Sequence, residues 1–539
     1  MRSALARPAA LTAVVMSVTV MLAAGTANAS GSHSQIQGSG SSWSANAVNQ
    51  WIADVQQNGL QVVFTANGSA QGRQDFAYKT TDFAVSDIGY QGVDPGTGQN
   101  DTSLGRAFAY LPIVAGGTAF PYNLKIGNQQ VKNLRLSGKT LALIFTNHIT
   151  NWNDPEIKAD NNGRSFPALR IIPVVHSEGS GSTAQLTQYL NTDYQSIWKP
   201  FNNGLGSFTE YFPRAGSQIA QNGSDGVMNF ISSAAANGSI GYDEYSYALS
   251  AGFPVVNVEN SAGYFTAPDQ YNVAVALTQA LINSNPASPN YLLQDLHKVY
   301  VYADPRTYPL SSYSYMLVPT ASSDSRMTTA KRQTLADYLY YAVCQGQAEM
   351  GPIGYSPLPI NLVQASFAQT AKLHTADPWV NLTSENVANC HNPTFVAGQP
   401  TRNYLAEIAP KPPLCAKVGQ GPCSGSQGIA NGNPNGGHAP SSGGTSGSSG
   451  SKTKPTAAVS AGASSGGTVN SITGQTQTSD QSQAGANAEL AASPTVLSGD
   501  QSSNMTGVLA SLAAIELVLL LVLPPVLYRR FGRPKGVQS

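Results

Sequence analysis

The apolar residues of the chain alternate between helical and strand spacing. In residues 44–57 they recur at the spacing of an amphipathic helix, at Val48, Trp51, Ile52 and Val55. Short apolar runs at residues 60–65 and 83–86 have the length and composition of strands. A further helix is predicted to follow Gly68 and Ser69, between these two strands.

The same order of elements returns in the middle of the chain. Residues 170–175 form an apolar run typical of a buried strand, and a Gly/Ser segment at residues 179–183 follows it. A helix is then predicted from the spacing of Leu186, Tyr189 and Leu190. Strands that alternate with helices are typical of α/β folds, so we expect an α/β body between about residues 34 and 409.

Two of the predicted strand-to-helix turns are rich in glycine and serine. They are the loops at residues 38–43 and 179–183, with a weaker third case at residues 68–72. Glycine lets backbone N–H groups converge, serine adds hydroxyl donors, and a helix N-terminus carries partial positive charge. One such turn alone is more often an ordinary helix cap. Three in one chain, with Asp87 at the end of a strand, indicate an oxyanion site.

The composition narrows the class of protein. Only 11% of the 539 residues are charged, and 29 Lys and Arg balance 29 Asp and Glu. An ordinary soluble domain has about 25% charged residues, so the composition disfavours a cytosolic or nucleic-acid-binding protein. The 52 glycines and 33 prolines suggest a loop-rich extracellular chain, whereas 41% apolar residues exclude disorder throughout. Without a net positive field, an anion must be held by local geometry.

The two ends of the chain carry targeting features. Arg2 and Arg7 precede an apolar run and then small residues, so residues 1–29 are predicted to be a signal peptide. No cysteine follows that run, which disfavours a lipoprotein anchor. Residues 507–528 are apolar enough for a transmembrane helix, and the basic tail at residues 529–539 is expected in the cytoplasm. We therefore expect a single-pass cell-membrane protein whose N-terminal body lies outside the cell.

A low-complexity segment separates the body from the predicted span. Residues 424–505 contain no aromatic residue and few charged ones, which predicts a disordered linker. Glu516 falls near the middle of the span. A protonated Glu tolerated in a single helix is favoured there over a partner or a water-filled path.

Four cysteines lie in the part predicted to be exported, which is typical of disulfide bonds. Three connectivities are possible. We favour Cys344 with Cys390, and Cys415 with Cys423, the second pair closing a small extension at residues 409–423. No two cysteines have the tight spacing of a zinc site, so no metal is expected.

Four motifs occur in one order along the chain. They are GSGSSW at residues 38–43, GSA at residues 68–70, DFAVSD at residues 82–87 and HSEGSGST at residues 176–183. They resemble the GAGATF, GSG, DFGASD and RSDGSGTT loops of the PstS-type phosphate-binding proteins of ABC phosphate transporters. Weaker similarities to that family continue in family order, at residues 149–155, 226–227, 240–242, 308–313 and 354–359.

The resemblance implies an α/β fold of the two-lobed, type II periplasmic-binding-protein kind. Its lobes are joined by a two-strand hinge and enclose the anion between them. Crossovers near residues 112–117 and 308–315 would make lobe I of residues 34–115 plus 310–408, and lobe II of residues 116–309. The disordered linker and the single C-terminal transmembrane helix would follow.

The resemblance also implies a phosphate-binding set. Carried over position by position, it is Ser42, Trp43, Ser69, Asp87, His176, Ser180, Gly181 and Ser182. Trp43 would contribute its backbone N–H. Asp87 would accept the proton that monohydrogen phosphate carries and sulfate lacks. His176 stands where the family has arginine, so a cation that titrates replaces a permanent one.

The implied function is capture of inorganic phosphate for ABC permease subunits in the membrane, by a monomer without a cofactor. Two alternatives stay open: binding of another small oxyanion or ligand, and an anchored surface or scaffold protein that has lost phosphate binding. An enzyme is disfavoured, because Ser180 lacks the flanking glycines of a nucleophile elbow and His176 has no evident orienting partner. No nucleic-acid partner is expected.

Overall fold

The computed structural model of the chain describes residues 33–93, 98, 100–396, 398–399 and 401–423. The predicted signal peptide, linker, transmembrane helix and cytoplasmic tail lie outside these residues. Within the described ranges, no helix is both long enough and apolar enough to span a bilayer.

Strands and helices alternate through the described residues. The strands are β1 (Ile36–Gly40), β2 (Val62–Thr65), β3 (Phe83–Ser86), β4 (Gly92–Val93), β5 (Asn100–Asp101), β6 (Phe108–Ala119), β7 (Tyr122–Asn123), β8 (Lys125–Ile126), β9 (Gln129–Gln130), β10 (Arg135–Leu136), β11 (Ile172–His176), β12 (Ile219–Gln221), β13 (Ser239–Gly241), β14 (Asp243–Glu244), β15 (Asn257–Glu259), β16 (Phe265–Thr266), β17 (Leu281–Ile282), β18 (Gln294–Asp295) and β19 (Ser311–Pro319). The helices are α1 (Ala45–Gln56), α2 (Ser69–Ala77), α3 (Gly138–Phe145), α4 (Pro155–Asp160), α5 (Gly181–Asp193), α6 (Gln195–Phe201), α7 (Gly223–Ser232), α8 (Tyr245–Ala251), α9 (Gln270–Leu277), α10 (His297–Tyr300), α11 (Thr329–Val343), α12 (Met350–Ile353), α13 (Ile360–Ala376) and α14 (Tyr404–Ile408). Short 3-10 helices lie at Gln345–Glu349, Val387–Asn389 and Leu414–Ala416.

Two mixed sheets organise these elements. The larger has the strand order β14-β6-β19-β3-β1-β2, and the smaller has the order β12-β11-β13-β7. In the larger sheet β1 runs parallel to β2 and β3, and in the smaller sheet β11 runs parallel to β12 and β13. A three-stranded sheet, β10-β15-β16, and three two-stranded ribbons complete the pairing in the described residues.

The helical spacing of residues 44–57 is explained by burial of one face of α1. Val48, Trp51 and Val55 are buried in a core that also contains β6 and α11 residues such as Leu111 and Tyr338. Burial of a large apolar side chain contributes about 1.5–3 kcal/mol, so this face fixes the helix on the larger sheet. A separate core surrounds Trp152 and Trp198 beside the smaller sheet.

Strands β6 and β19 contain the two segments predicted as crossovers. They pair antiparallel over the whole length of β19, from Ser311 opposite Gly117 to Pro319 opposite Phe108, with one irregularity between Ser314 and Tyr315. The larger sheet also receives β14, which follows β13 of the smaller sheet directly and pairs with the end of β6. The residue limits of the two lobes stay a prediction.

Both predicted disulfide bonds are confirmed: Cys344 pairs with Cys390, and Cys415 with Cys423. The second one closes a loop that packs on Arg135. The guanidinium of Arg135 donates to the carbonyl oxygens of Cys415 (3.2 Å) and Gln420 (2.8 Å). The chain is therefore held in the fold up to the last residue before the predicted linker.

The interpretation of residues 38–43 as a loop is wrong for its first half. Residues up to Gly40 belong to β1, between β2 and β3. Gly38 is required there for packing, because a Cβ on it would lie 2.1 Å from the ring of Phe83. Close approach of neighbouring side chains, and not a turn, explains this glycine.

Candidate functional site

The parallel strands bring two groups of residues to two sheet edges. The carboxyl ends of β1, β2 and β3 carry residues 41–44, 68–69 and 87, which we call the first edge. The carboxyl ends of β11, β12 and β13 carry residues 176–182, 222–224 and 242–243, which we call the second edge. Ligands of open α/β sheets bind outside such carboxyl ends.

Asp87 is the centre of the first edge. Its buried carboxylate accepts hydrogen bonds from four serine hydroxyls, those of Ser41 (2.7 Å), Ser44 (3.2 Å), Ser69 (3.1 Å) and Ser314. Burial raises the pKa of Asp87, while these hydroxyls, Ser314 first, oppose the rise by stabilising the ionised form. The group thus keeps a proton to a higher pH than an ordinary aspartic acid.

Ser42 and Trp43 join the first edge to neighbouring elements. The hydroxyl of Ser42 accepts from the backbone N–H (3.2 Å) and the hydroxyl (3.0 Å) of Ser224, at the start of α7. The carbonyl of Trp43 accepts from the hydroxyl of Tyr355 at 2.6 Å, and the two rings meet edge to face. The Ser42 contact connects the first edge directly to the second.

His176 is buried at the second edge between two carboxylates. Its Nδ1 lies 2.7 Å from Oε1 of Glu178, and its Nε2 lies 3.9 Å from Oδ2 of Asp243. Neither His176 Nε2 nor Asp243 Oδ2 has a hydrogen-bond partner among the described residues. The other oxygen of Glu178 accepts from the backbone N–H of Gly223 (3.1 Å). The His176–Glu178 pair is therefore held in place, while one side of the ring stays unpartnered.

The charged groups at this edge shift one another's pKa values. Burial acts to lower the pKa of His176, but the hydrogen bond and charge of Glu178, with Asp243, outweigh it, so the pKa of His176 is raised. Burial acts to raise the pKa of Glu178, but the contact with His176 lowers it overall. Burial raises the pKa of Asp243 to about 6, against the opposing effect of His176. His176 thus stays cationic to a higher pH than an exposed histidine.

The N-terminus of α5 places the other three predicted ligands. The hydroxyl of Ser180 caps the helix by accepting from the backbone N–H of Thr183 at 3.4 Å. The first backbone N–H groups of a helix have no acceptor within it, and they carry partial positive charge. The hydroxyl of Ser182 is buried without a hydrogen-bond partner among the described residues. This end of α5 therefore offers unused donors.

The two edges meet at Gly181 and Asp87. A Cβ on Gly181 would lie 1.8 Å from Oδ2 of Asp87, so only glycine allows this approach. The amide of Gln185, one turn further along α5, donates to the carbonyl of Asp87 at 3.0 Å. The structure thus brings all eight predicted ligands to two adjoining edges; whether each of them contacts an anion stays a prediction.

The comparisons with known proteins place this chain in a family. A family model described as a PBP superfamily domain matches residues 25–345. Phosphate-binding protein PstS 2 of Mycobacterium tuberculosis is 30% identical over 345 residues, which covers 61% of this chain and 84% of that protein. The chain belongs to the PstS-type phosphate-binding protein family. The resemblance inferred from the four motifs is thereby confirmed.

The chain is also similar to other known proteins at lower identity. The phosphate-binding protein PstS of Xylella fastidiosa is 28% identical over 331 residues and is covered over 83% of its length. A solved structure of a phosphate-binding protein from Stenotrophomonas maltophilia is 18% identical, with a TM-score of 0.47 over 62% of this chain and 94% of that chain.

The sequence analysis of this PstS-type chain missed a buried ion cluster beside the site. Arg73, on α2, is buried, and its guanidinium contacts Asp101 (2.7 Å) and Glu210 (2.7 Å). Glu210 in turn offers its backbone carbonyl to the N–H of Ser180 at 2.9 Å. A lone arginine in an otherwise polar helix gives no sequence signal of such a partner. The cluster joins α2 of the first edge to the segment that positions α5.

Three serines of the Asp87 cluster were also missed: Ser41, Ser44 and Ser314. Ser41 and Ser44 flank the predicted Ser42, and their i, i+3 spacing before a helix was the available signal. Ser314 comes from β19 and is 227 positions away from Asp87. As for metals, no group of three or more His, Cys, Asp or Glu residues within the described ranges could hold an ion.

Proposed function

We propose that this chain binds inorganic phosphate between the two edges and delivers it to the permease subunits of an ABC importer. The observation that carries the proposal is the pairing of unlike groups around Gly181. One edge supplies a buried acceptor, Asp87, and the other supplies unused donors at His176 Nε2 and Ser182 Oγ. Membership of the PstS-type family supports phosphate as the anion.

The chemistry of Asp87 favours phosphate over sulfate. A carboxylate repels an unprotonated anion but can accept a hydrogen bond from the O–H of monohydrogen phosphate. Sulfate carries no proton at neutral pH. A hydrogen bond to a charged group contributes about 1.5–3 kcal/mol, so this single contact provides a preference of roughly tenfold or more.

The experiment that tests the proposal is calorimetric titration of the full-length chain, freed of bound anion, with phosphate, arsenate, sulfate and molybdate. Heat with phosphate and arsenate alone is the expected result. In Asp87→Asn the preference for phosphate over sulfate should fall at least about tenfold, since an amide also donates to an unprotonated oxyanion. The matched control is Asp269→Asn, which changes a partly buried carboxyl that caps α9 through the N–H groups of Tyr271 and Asn272.

Two other results would replace the proposal. A preference for sulfate or molybdate would assign the site to another oxyanion. No heat with any of the four anions would favour an anchored scaffold protein. An Asp87→Asn variant that matches the wild type for phosphate and sulfate would remove Asp87 from the ligand set.

The membrane attachment is a separate part of the proposal. We infer that a signal peptide exports the body and that residues 507–528 anchor it, with residues 424–505 as the tether. The amide of Asn133 holds the carbonyl of Cys423 at 3.1 Å, which supports an end of the folded body at that residue. Proteolytic cleavage within residues 424–505 should therefore release a body with unchanged phosphate affinity. Loss of binding on release would show that the tail is part of the folded unit.

A further inference from the structure

Asp243 occupies a position that no family motif predicted. It opens β14, where the chain passes from the smaller sheet to the larger one, and its side chain is buried. Its Oδ1 accepts from the backbone N–H of Glu244 at 2.7 Å, while its Oδ2 accepts no hydrogen bond from the described residues. The nearby Ser224 hydroxyl lowers the pKa of Asp243 but does not offset the effect of burial. A buried carboxylate oxygen without a donor is unfavourable, so something must compensate for it in the functional state.

The position of the unpartnered oxygen points to a shared ligand. Asp243 Oδ2 and His176 Nε2 are 3.9 Å apart, too far for a hydrogen bond between them. One oxygen atom placed about 2.8 Å from each of them fits this separation, and that distance is ordinary for a hydrogen bond. A single anion oxygen can therefore contact both groups.

The charged groups around Asp243 make its ionised form unfavourable when an anion binds beside it. The titratable groups that face it are His176 and Glu178 from β11 and the loop after it, its neighbours Tyr242 and Glu244, and Tyr247 of α8. Among these groups His176 alone can be cationic. Burial raises the pKa of Glu244 well above its usual range, which favours the neutral form of that carboxyl. An anion beside an ionised Asp243 would face two carboxylates with one imidazolium.

We propose that Asp243 takes up a proton when the anion binds, and that its Oδ2–H then donates a hydrogen bond to the anion oxygen that His176 Nε2 also contacts. The proton comes from solvent and stays on the carboxyl; no covalent bond to the anion forms or breaks. The inference rests on the proposed function, and it adds a ligand and a proton linkage to that site.

Asp269 is an aspartate of the same fold whose carboxylate, unlike that of Asp243, is fully hydrogen-bonded. It is partly buried, and desolvation raises its pKa to about 6, as for Asp243. Its carboxylate, however, accepts from the N–H groups of Tyr271 (2.9 Å) and Asn272 (2.9 Å) and from the Asn272 amide (3.0 Å). It is fully occupied as a helix cap, so an anion at the two edges leaves its protonation unchanged. Asp269 is therefore the matched control.

The test is calorimetric titration of the full-length chain with inorganic phosphate at about pH 7.5, in three buffers of different ionisation enthalpy. The dependence of the measured heat on that enthalpy gives the number of protons taken up. At this pH the unliganded Asp243 is mostly ionised, because its pKa is about 6. We expect the wild type to take up about one proton more than Asp243→Asn. Asp269→Asn should match the wild type, and the difference should shrink towards zero at about pH 5.

Each outcome decides between the proposals. Phosphate binding with equal proton uptake in the wild type and Asp243→Asn overturns the role of Asp243 but leaves phosphate binding intact. No heat with phosphate in the wild type overturns both the proposed function and this inference. If Asp243→Asn does not fold, infrared difference spectra of the wild type with 13C-labelled aspartate decide. A new protonated-carboxyl band on phosphate addition supports the inference, and its absence overturns it.

Discussion

The two edges of the site differ in how completely their buried polar groups are paired. On the first edge the Asp87 carboxylate is surrounded by four hydroxyls that already donate to it. On the second edge three buried side-chain atoms have no partner within the described residues: His176 Nε2, Ser182 Oγ and Asp243 Oδ2. The hydroxyls around Asp87 on the first edge are paired within the protein, although Trp43 Nε1 beside them is buried without a partner among the described residues. On the second edge we propose that a ligand supplies the missing partners.

Because of this difference, we expect the second edge to determine the affinity for the anion and the first edge to determine its selectivity. An unpaired buried polar group costs about 1–3 kcal/mol, so an anion that pairs the second edge gains that free energy on binding. The hydroxyls of the first edge gain little, because they exchange one acceptor for another. We therefore expect substitutions on the second edge to change affinity, and substitutions at Asp87 to change which anion is preferred.

The largest expected effect comes from breaking the link between the edges. Arg73→Gln leaves the buried carboxylate of Glu210 and the partly buried carboxylate of Asp101 without their cation. Removal of one partner of a buried pair costs about 3–5 kcal/mol, which chemical denaturation measures as a fall in the free energy of unfolding. The control is Lys139→Gln, which removes an exposed pair with Glu156 at 2.9 Å and should cost less than about 1 kcal/mol. Equal costs for the two variants would show that the Arg73 cluster does not join the edges.

The sequence predicted the elements whose determinants are local. The apolar face of α1 and the four residues of β3 are set by the residues themselves, and the structure has them within one residue of the predicted limits. The predicted turn at residues 179–183 is too long at its end, because α5 already begins at Gly181, with Ser180 as its cap. The order of the motifs then indicated the family and the residues that the structure places at the two edges.

Contacts between distant segments were not predictable in the same way. Glu210 is 137 positions from Arg73, and Ser314 is 227 positions from Asp87, so neither partner has a signal in the local pattern. Gly38 illustrates the opposite error, because a glycine that packs under Phe83 looks like a turn residue in sequence. Asp243 follows an apolar strand like many surface aspartates, and only the fold places it beside His176.

A second substitution tests whether the two edges must approach each other, by separating them sterically. In Gly181→Ala the new methyl group would meet Oδ2 of Asp87. Forcing a methyl group into a packed site costs about 1–3 kcal/mol, so phosphate affinity should fall roughly 10- to 100-fold in calorimetric titration. Gly206→Ala is the control, since its Cβ would have ordinary contacts at 3.5 and 3.8 Å. Wild-type affinity in Gly181→Ala would mean that α5 does not approach Asp87 in the bound state.

Two serine substitutions compare the hydrogen bonding of the two edges directly. Ser182→Ala removes a buried hydroxyl that has no partner, so the free energy of unfolding should stay constant or rise while phosphate affinity falls about tenfold. Ser44→Ala removes a hydroxyl bonded to Ser314 (2.7 Å) and Asp87 (3.2 Å), and should cost about 1 kcal/mol of stability. Denaturation and titration of both variants measure the two effects. If Ser182→Ala lost stability and Ser44→Ala did not, the hydroxyl of the second edge, and not that of the first, would be the one bonded within the protein.

The smallest expected effect is the pH dependence that Asp87 gives to stability without ligand. Burial raises the pKa of Asp87, so the folded chain holds this proton to a higher pH than the unfolded chain does. Stability from this group is therefore fully present below the unfolded pKa and is lost as pH rises through the folded one. Asp87→Asn does not titrate, so its melting temperature should exceed that of the wild type near pH 7 and approach it near pH 4.

The difference in melting temperature should be a few degrees, since ~1 kcal/mol shifts the midpoint by about 2–4 °C in domains of 150–250 residues. Asp269→Asn removes a carboxyl whose pKa is also raised, and it gives the slope expected for a partly buried aspartate outside the site. A wild type that melts at a higher temperature than Asp87→Asn at pH 7 would show that the serine hydroxyls stabilise the ionised carboxylate more than burial disfavours it.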